Sequence, residues 1–282
     1  MASPTLRQDG GRIAVASIGF TTPAYVVFGA STPVSGEKMH TEILQSELPE
    51  DMRKLRGLPG IQPVNGAWLR VDDAYSGQMA RRLALLDRHR VDVLACPEVA
   101  MTPALEVLDN VVPLLPALGY VVQDAVVQCP DGRDVHLDRK DPLDTLGRLL
   151  QCDLCLLHKP QGAQEHLLGA AVLCFPASWS LHEKIGRPMM AIHSPVDEYD
   201  DSLGRRVQRL LDGVQVGRPL WRFNSLFYED AELHQPRSET APREDLSPSE
   251  SRPFNRAERQ TLLRLPESRW VLFAIHTYVV VR

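Results

Sequence analysis

Apolar positions along this chain fall into short blocks, and their spacing predicts a mixture of strands and helices. Residues 1–12 read as a loose tail. Ile13 to Phe28 is apolar and β-branched, broken by Gly19 and Pro23, and reads as one or two short strands. Residues 31–66 are rich in Pro and Gly and read as irregular, wrapping chain, and Trp68 to Asp72 as a short strand or the entry to a turn. Tyr75, Met79, Leu83 and Leu86 then form one helical stripe, with Asp72 or Asp73 as its cap. Thr102-Pro103 opens a second helix, whose face is Ala104, Leu108, Val111 and Leu115 and whose stop is Pro116. Tyr120–Cys129 and Asp134–Leu137 alternate around Pro130-Asp131-Gly132, a hairpin signal. Farther on, Leu143–Leu150 and Arg205–Leu211 read as helices, and Asp153–His158, Leu168–Phe175 and Pro219–Phe227 as strands. Arg256–Leu265 reads as a basic helix ended by Pro266, and Arg269–Val281 as the last and longest strand.

Strands and helices mix without regular βαβ alternation, which points to an antiparallel α+β core rather than a doubly wound sheet. Residues 229–253 stand apart: acidic, rich in Pro and Ser, and almost without large apolar side chains, they read as a long surface loop or a disordered insert. The 22 prolines favour short elements and structured loops over long helices. No apolar run reaches the roughly 18 residues of a membrane span, and Met1–Arg12 has no signal-peptide core. A net charge of −5 argues against a nucleic-acid partner. Five cysteines without a disulfide-like pattern suit a reducing, cytoplasmic setting.

Candidate chemistry concentrates between Phe175 and Val196, which holds Trp179, His182, Lys184, Arg187 and His193 between strand-like runs. His193 closes an apolar segment just before Ser194-Pro195. A histidine so placed can ligate iron through a neutral imidazole nitrogen, or can be a half-buried structural group bonding a backbone carbonyl. On the last strand, Trp270, Leu272, Ala274, His276, Tyr278 and Val280 share a face by the period of two, so His276 and Tyr278 are either half-buried functional groups or satisfied core residues. Cys152 and Cys155 form CxxC, but no second pair completes a zinc site. The chain has no GxGxxG after a strand, no Walker loop and no GxSxG, so a nicotinamide or flavin belongs on a partner.

The run FPASWSLHEKIGRPMMAIHSPV, the segment WRFN at Trp221–Asn224, ERQTLLRLP at Glu258–Pro266 and FAIHTYV at Phe273–Val279 occur in one order. Together with GLPGIQPVNGAWLRVDDAY at Gly57–Tyr75, they resemble the haem-dependent oxidative N-demethylase family, α-subunit-like, over roughly residues 55–280. The resemblance implies a PAS-like antiparallel sheet with flanking helices that holds haem b. A methyl group would leave a small amine as formaldehyde, with O2 as oxidant. Electrons would come from a reductase subunit carrying FMN and a 2Fe–2S centre. It also implies one continuous unit: 13–118 as a wrapping half, 119–282 as the haem-binding core, and 229–253 as a flexible acidic loop within it.

By the IHSPV match, His193 corresponds to the iron ligand. Arg222, Arg259 and Arg264 are then candidates for the haem propionates, because a guanidinium fork pairs with a carboxylate. His276, Tyr278 and Glu198 are candidates for the catalytic, distal side, with His182 as a further proton donor. The sequence departs from the family at Ser225, at His276, at Cys152 and at Asp197, changes that bear on the substrate more than on the iron site. Two readings from other classes stay open beside the enzyme: a PAS-like haem or ligand sensor without turnover, and a degenerate homologue that has lost haem.

Overall fold

The computed structural model describes residues 42–53, 60–193, 201–242 and 245–282. The tail at 1–12, the strands expected in 13–28, Asp197 and Glu198 lie outside the described residues. In chain order the elements are α1 (Glu50–Arg53), β1 (Gln62–Pro63), α2 (Tyr75–Arg88), α3 (Arg90–Val93), β2 (Leu94–Ala95), α4 (Met101–Val111), β3 (Val121–Gln123), β4 (Val126–Gln128), β5 (Asp134–His136) and α5 (Pro142–Leu149). Then follow β6 (Asp153–His158), β7 (Leu167–Val172), α6 (Leu181–Lys184), α7 (Met189–His193), α8 (Asp201–Gly213), β8 (Leu220–Tyr228), β9 (Phe254–Arg264) and β10 (Val271–Val281).

Seven strands pair antiparallel in the order β1-β8-β9-β10-β6-β7-β2. β3, β4 and β5 form a small separate sheet, closed by the expected turn with Gly132 in the left-handed region. The spine of the large sheet is the β9–β10 pair, eleven residues on each side, running in unbroken register from Val271↔Arg264 to Val281↔Phe254. β10 is rich in Val, Ile, Thr and Tyr and forms the strand its sequence predicts.

β9 is a correction, since Arg256–Leu265 reads as a helix. Arg, Glu, Gln and Leu all have good helix propensity. Here β9 lies between β8 and β10 and pairs with both, so two ladders and a buried apolar surface override that propensity.

Helices cover both faces of the sheet. On the first face, α2, α4 and α5 bury Met79, Leu86, Leu108, Val111, Leu143 and Leu146 against Leu154, Leu156, Val172, Leu272 and Ala274. α2 replaces part of its expected stripe: Leu83 is only half-buried, and the fully buried neighbour is Arg82, whose Nη1 donates to Asp153 Oδ1 at 2.6 Å. α4 starts one residue before Thr102, behind a 3₁₀ turn at Glu98–Ala100, and runs into a second 3₁₀ stretch that contains Pro116. On the second face, Leu181, Met189, Ile192, Val207 and Leu211 of α6, α7 and α8 pack on Cys155, Ala171, Leu262, Val271 and Ile275.

β6 accompanies β10 only from Val271 to Ile275, so among the described residues the upper edge of β10 has no neighbouring strand. Its peptide groups are satisfied by glutamines instead. Gln45 N donates to the Val279 carbonyl at 3.0 Å, and Gln45 Oε1 accepts from Val279 N at 2.7 Å. Gln78 Nε2 donates to the Thr277 carbonyl at 3.0 Å.

The 229–242 stretch has neither helix nor ladder strand, as its composition suggests, but it is tied down. Leu233 is buried, Gln235 bridges Ala177, and the His234 Nδ1 lies 2.8 Å from the Cys174 carbonyl. Among the described residues no helix is long and apolar enough to cross a membrane. All five cysteines are unpaired, and burial pushes the Cys152 thiol up to about 12, which suits neither a zinc-bound thiolate nor an exchange-active one.

Candidate functional site

A five-residue helix cannot hold its own place, because one turn offers few hydrogen bonds against the cost of ordering it. The position of α7 is set by its neighbours. At its start, Met190 N donates to Glu165 Oε2 at 2.8 Å and Met189 N to the His166 carbonyl at 3.1 Å. At its end, Lys184 Nζ donates to the Ile192 carbonyl and Arg187 Nη2 to the Ala191 carbonyl at 3.0 Å. A carboxylate at the first amides and cations at the last carbonyls complement the polarity of the helix. α8 packs on it from the side: a Cβ on Gly204 would come within 2.2 Å of Met190 Sδ, so a larger residue there would displace the Met190 side chain.

His193 is the last residue of α7 and is half-buried. Its Nδ1 lies 2.8 Å from the Met189 carbonyl. A carbonyl only accepts, so Nδ1 carries the proton and Nε2 is the basic nitrogen of the ring. Burial holds the imidazole below the ordinary histidine value. The Met189 carbonyl opposes that shift, and the Lys184 ammonium adds to it. The neutral ring is the form a metal would require.

The same face of the sheet carries a polar row the sequence reading missed. Thr277, Glu258 and Asn224 stand in register across β10, β9 and β8. Glu258 Oε2 accepts from Asn224 Nδ2 at 3.0 Å and from Gln260 Nε2 at 3.1 Å. Among the described residues the buried Thr277 hydroxyl has no hydrogen-bond partner. Period-two alternation from Ile275 would have placed Thr277 opposite His276 and on this face.

His276 and Tyr278 are brought together, with ring centroids 4.7 Å apart, but on the face opposite α7. Their partners come from the chain that precedes α2. His276 Nε2 lies 2.9 Å from Asp72 Oδ2, and Gln45 Nε2 donates to the same oxygen at 3.1 Å. Asp72 Oδ1 accepts from Gln151 Nε2 at 2.6 Å and from Ala74 N at 3.0 Å. Asp72 thus ties the turn before α2 to three other segments, while α2 starts without a side-chain cap. An open cleft of about 550 Å³ beside this group is lined by Gln45, Leu48, Asn65, Arg70, Asp72 and Tyr278. Burial pushes the Tyr278 hydroxyl up to about 12, with the Arg70 and Arg259 cations opposing the shift.

Asp72 gives a pH prediction. Burial raises its carboxyl pKa, but the hydrogen bonds from His276, Gln151 and Gln45 outweigh burial and leave it below the ordinary aspartate value. A folded pKa below the unfolded one contributes stability above about pH 4, lost as pH falls through the folded value. Asp72→Asn is expected to cost about 1–3 kcal/mol at pH 7. The gap to the unmodified protein should narrow as pH is lowered from 6 to 3 in urea titrations, and a constant gap would contradict the assignment.

The three arginines separate. Arg222 is exposed on β8, paired in register with Gln260 and therefore on the α7 face. Arg264 donates to the Val214, Leu211 and Arg269 carbonyls and so closes the end of α8. Arg259 is buried on the opposite face, stacked 3.7 Å over the Trp221 ring with Nη1 2.8 Å from Asp51 Oδ2. His182 is exposed on α6. Glu198 lies outside the described residues.

The family model for haem-dependent oxidative N-demethylases, alpha subunit-like, matches residues 60–281. The chain belongs to that family. The match takes in the whole of the large sheet, α7 with His193, and the His276–Tyr278 pair, while Gln45 and Asp51 precede it. The family's name carries both a dependence on haem and an α subunit that works with another chain.

Proposed function

We propose that this chain binds haem b through His193 and, with electrons from a partner reductase, removes a methyl group from a small amine as formaldehyde. Two things support the reading: the family match, and the build of α7 around a neutral histidine whose Nδ1 is engaged by its own helix. The donor set suits a haem. The neutral imidazole of His193 would hold the iron, the Met189 carbonyl fixes its tautomer and increases its basicity, and Trp179, Met189, Ile192 and Phe273 offer apolar surface on that face. When bound, the haem supplies the O2 chemistry that turns an N-methyl group into formaldehyde.

The remaining roles belong to this chain's own side chains. Of the three arginines, Arg222 suits a propionate best, because it is exposed on the α7 face. The unpaired Thr277 hydroxyl is a polar group on that face for a bound ligand. His276 and Tyr278 hold the turn at Arg70 and Asp72 against the sheet. A PAS-like core within 119–282 fits the five strands β7-β6-β10-β9-β8, with α6, α7 and α8 all in the connection from β7 to β8. FMN and a 2Fe–2S centre belong on the partner.

The test is a visible spectrum of the purified protein, before and after supply of haemin, followed by formaldehyde assays on a panel of methylamines with a surrogate reductase. A Soret band and formaldehyde above a haem-free control are expected. A protein that stays colourless with haemin would overturn the haem reading. A Soret band with no formaldehyde from any amine would favour a sensor.

A further inference from the structure

We propose that Glu239, in the acidic connection between β8 and β9, is a positioning residue for His193, acting through Lys184 and Arg187 on the end of α7. This rests on the reading that His193 is the iron ligand.

The geometry forms a closed clamp. The Lys184 ammonium is buried and donates to both the Ile192 carbonyl and the Glu239 carboxylate. Arg187 Nη1 lies 2.9 Å from each Glu239 oxygen and donates to the Glu183 carbonyl at 2.8 Å, while its Nη2 reaches the Ala191 carbonyl. Glu183 returns the connection: its Oε2 accepts from Glu239 N at 2.9 Å and its Oε1 from the Ser238 hydroxyl at 2.7 Å. Among the described residues Glu239 is the one carboxylate that pairs with either cation.

A buried ammonium without a counter-charge is strongly disfavoured. Glu239 therefore decides whether Lys184 stays where it can hold the Ile192 carbonyl, one residue before His193. Arg187 is fixed in the same way against Ala191. The two bonds close the carbonyl end of a helix too short to stand alone. The acidic stretch, on its composition a solvated loop, thus reaches the residue before His193 through a single intervening side chain.

The experiment uses Glu239→Gln, Lys184→Met and the conservative Glu239→Asp in the full chain, with two readouts. The first is hydrogen exchange of haem-free protein, comparing the peptide that covers α7 with one that covers α2. Glu239→Gln and Lys184→Met should speed exchange in α7 about tenfold and leave α2 unchanged, with Glu239→Asp in between. The second is haem transfer to an apoglobin acceptor, which should be about 10–100-fold faster in the same two variants, the range seen when an outer-shell partner of a metal ligand is lost. Unchanged α7 exchange, or equal acceleration in α2, would overturn the clamp. So would unaltered haem release in a protein that binds haem. A parent protein that binds no haem would instead sink the ligand assignment, and the exchange comparison would still decide the clamp.

Discussion

Replacing His193 by alanine is expected to abolish the Soret band, with haem affinity lowered more than 100-fold. Losing an outer-shell partner of a metal ligand commonly costs 10–100-fold, and losing the ligand itself should exceed that. The fold should persist, since α7 is also fixed from outside by Glu165, His166, Lys184 and Arg187. Near-ultraviolet dichroism and urea midpoints close to those of the parent protein would establish this. His193→Gly with added imidazole should recover a Soret band, because a free ring can enter the vacated volume. If His193→Ala bound haem with the parent affinity and band position, the axial ligand would have to be sought elsewhere.

The second large effect is on stability. Arg82 and Asp153 are both fully buried, with Arg82 Nη1 and Asp153 Oδ1 at 2.6 Å. Arg82 Nε also donates to the Gly147 carbonyl at 3.2 Å, and its guanidinium lies 5.3 Å from the Phe175 ring centroid. Asp153 in turn accepts from Cys174 N at 2.7 Å and Phe175 N at 2.9 Å, which fixes the chain as it leaves β7. Arg82→Ala would leave the carboxylate buried without its cation, a change that costs about 3–5 kcal/mol. Asp153→Asn in the Arg82→Ala background should recover part of this loss, since the amide removes the stranded charge. Urea unfolding of the two single variants and the double variant would measure the coupling. A loss below about 1 kcal/mol for Arg82→Ala would show that Asp153 is neutralised in another way.

Arg82 also shows what the sequence could and could not disclose. The apolar spacing of α2 is plain, but its fully buried arginine has a partner 71 positions away, and no local pattern records that distance. The same holds for Lys184 and Glu239, which are 55 positions apart: the cations were visible in the Phe175–Val196 run, their counter-charge was not. β10 was legible because branched and aromatic residues suit a half-buried strand. β9 was not, because Arg, Glu, Gln and Leu are equally at home in a helix and only the flanking strands decide between the two.

His193 itself came from resemblance. Its own sequence context allows a structural histidine bonding a carbonyl as readily as a ligand, and the structure shows the carbonyl bond. The two roles are compatible, because one imidazole has two nitrogens. His276 and Tyr278 were correctly placed on one face of β10; which face met α7 required the sheet order.

The unaccompanied edge of β10 has a consequence of another kind. A naked strand edge is a template on which a second chain can crystallise its own strand, the first step of sheet-to-sheet polymerisation. Gln45, through its backbone N–H and its side-chain amide, and Gln78, through its amide, occupy that template with isolated groups that match a peptide's hydrogen bonding but do not continue as a ladder. Gln45 and Gln78 therefore act as stoppers of this edge. They keep a strand of Val, Ile and Tyr, the composition most prone to templated growth, from recruiting its own kind.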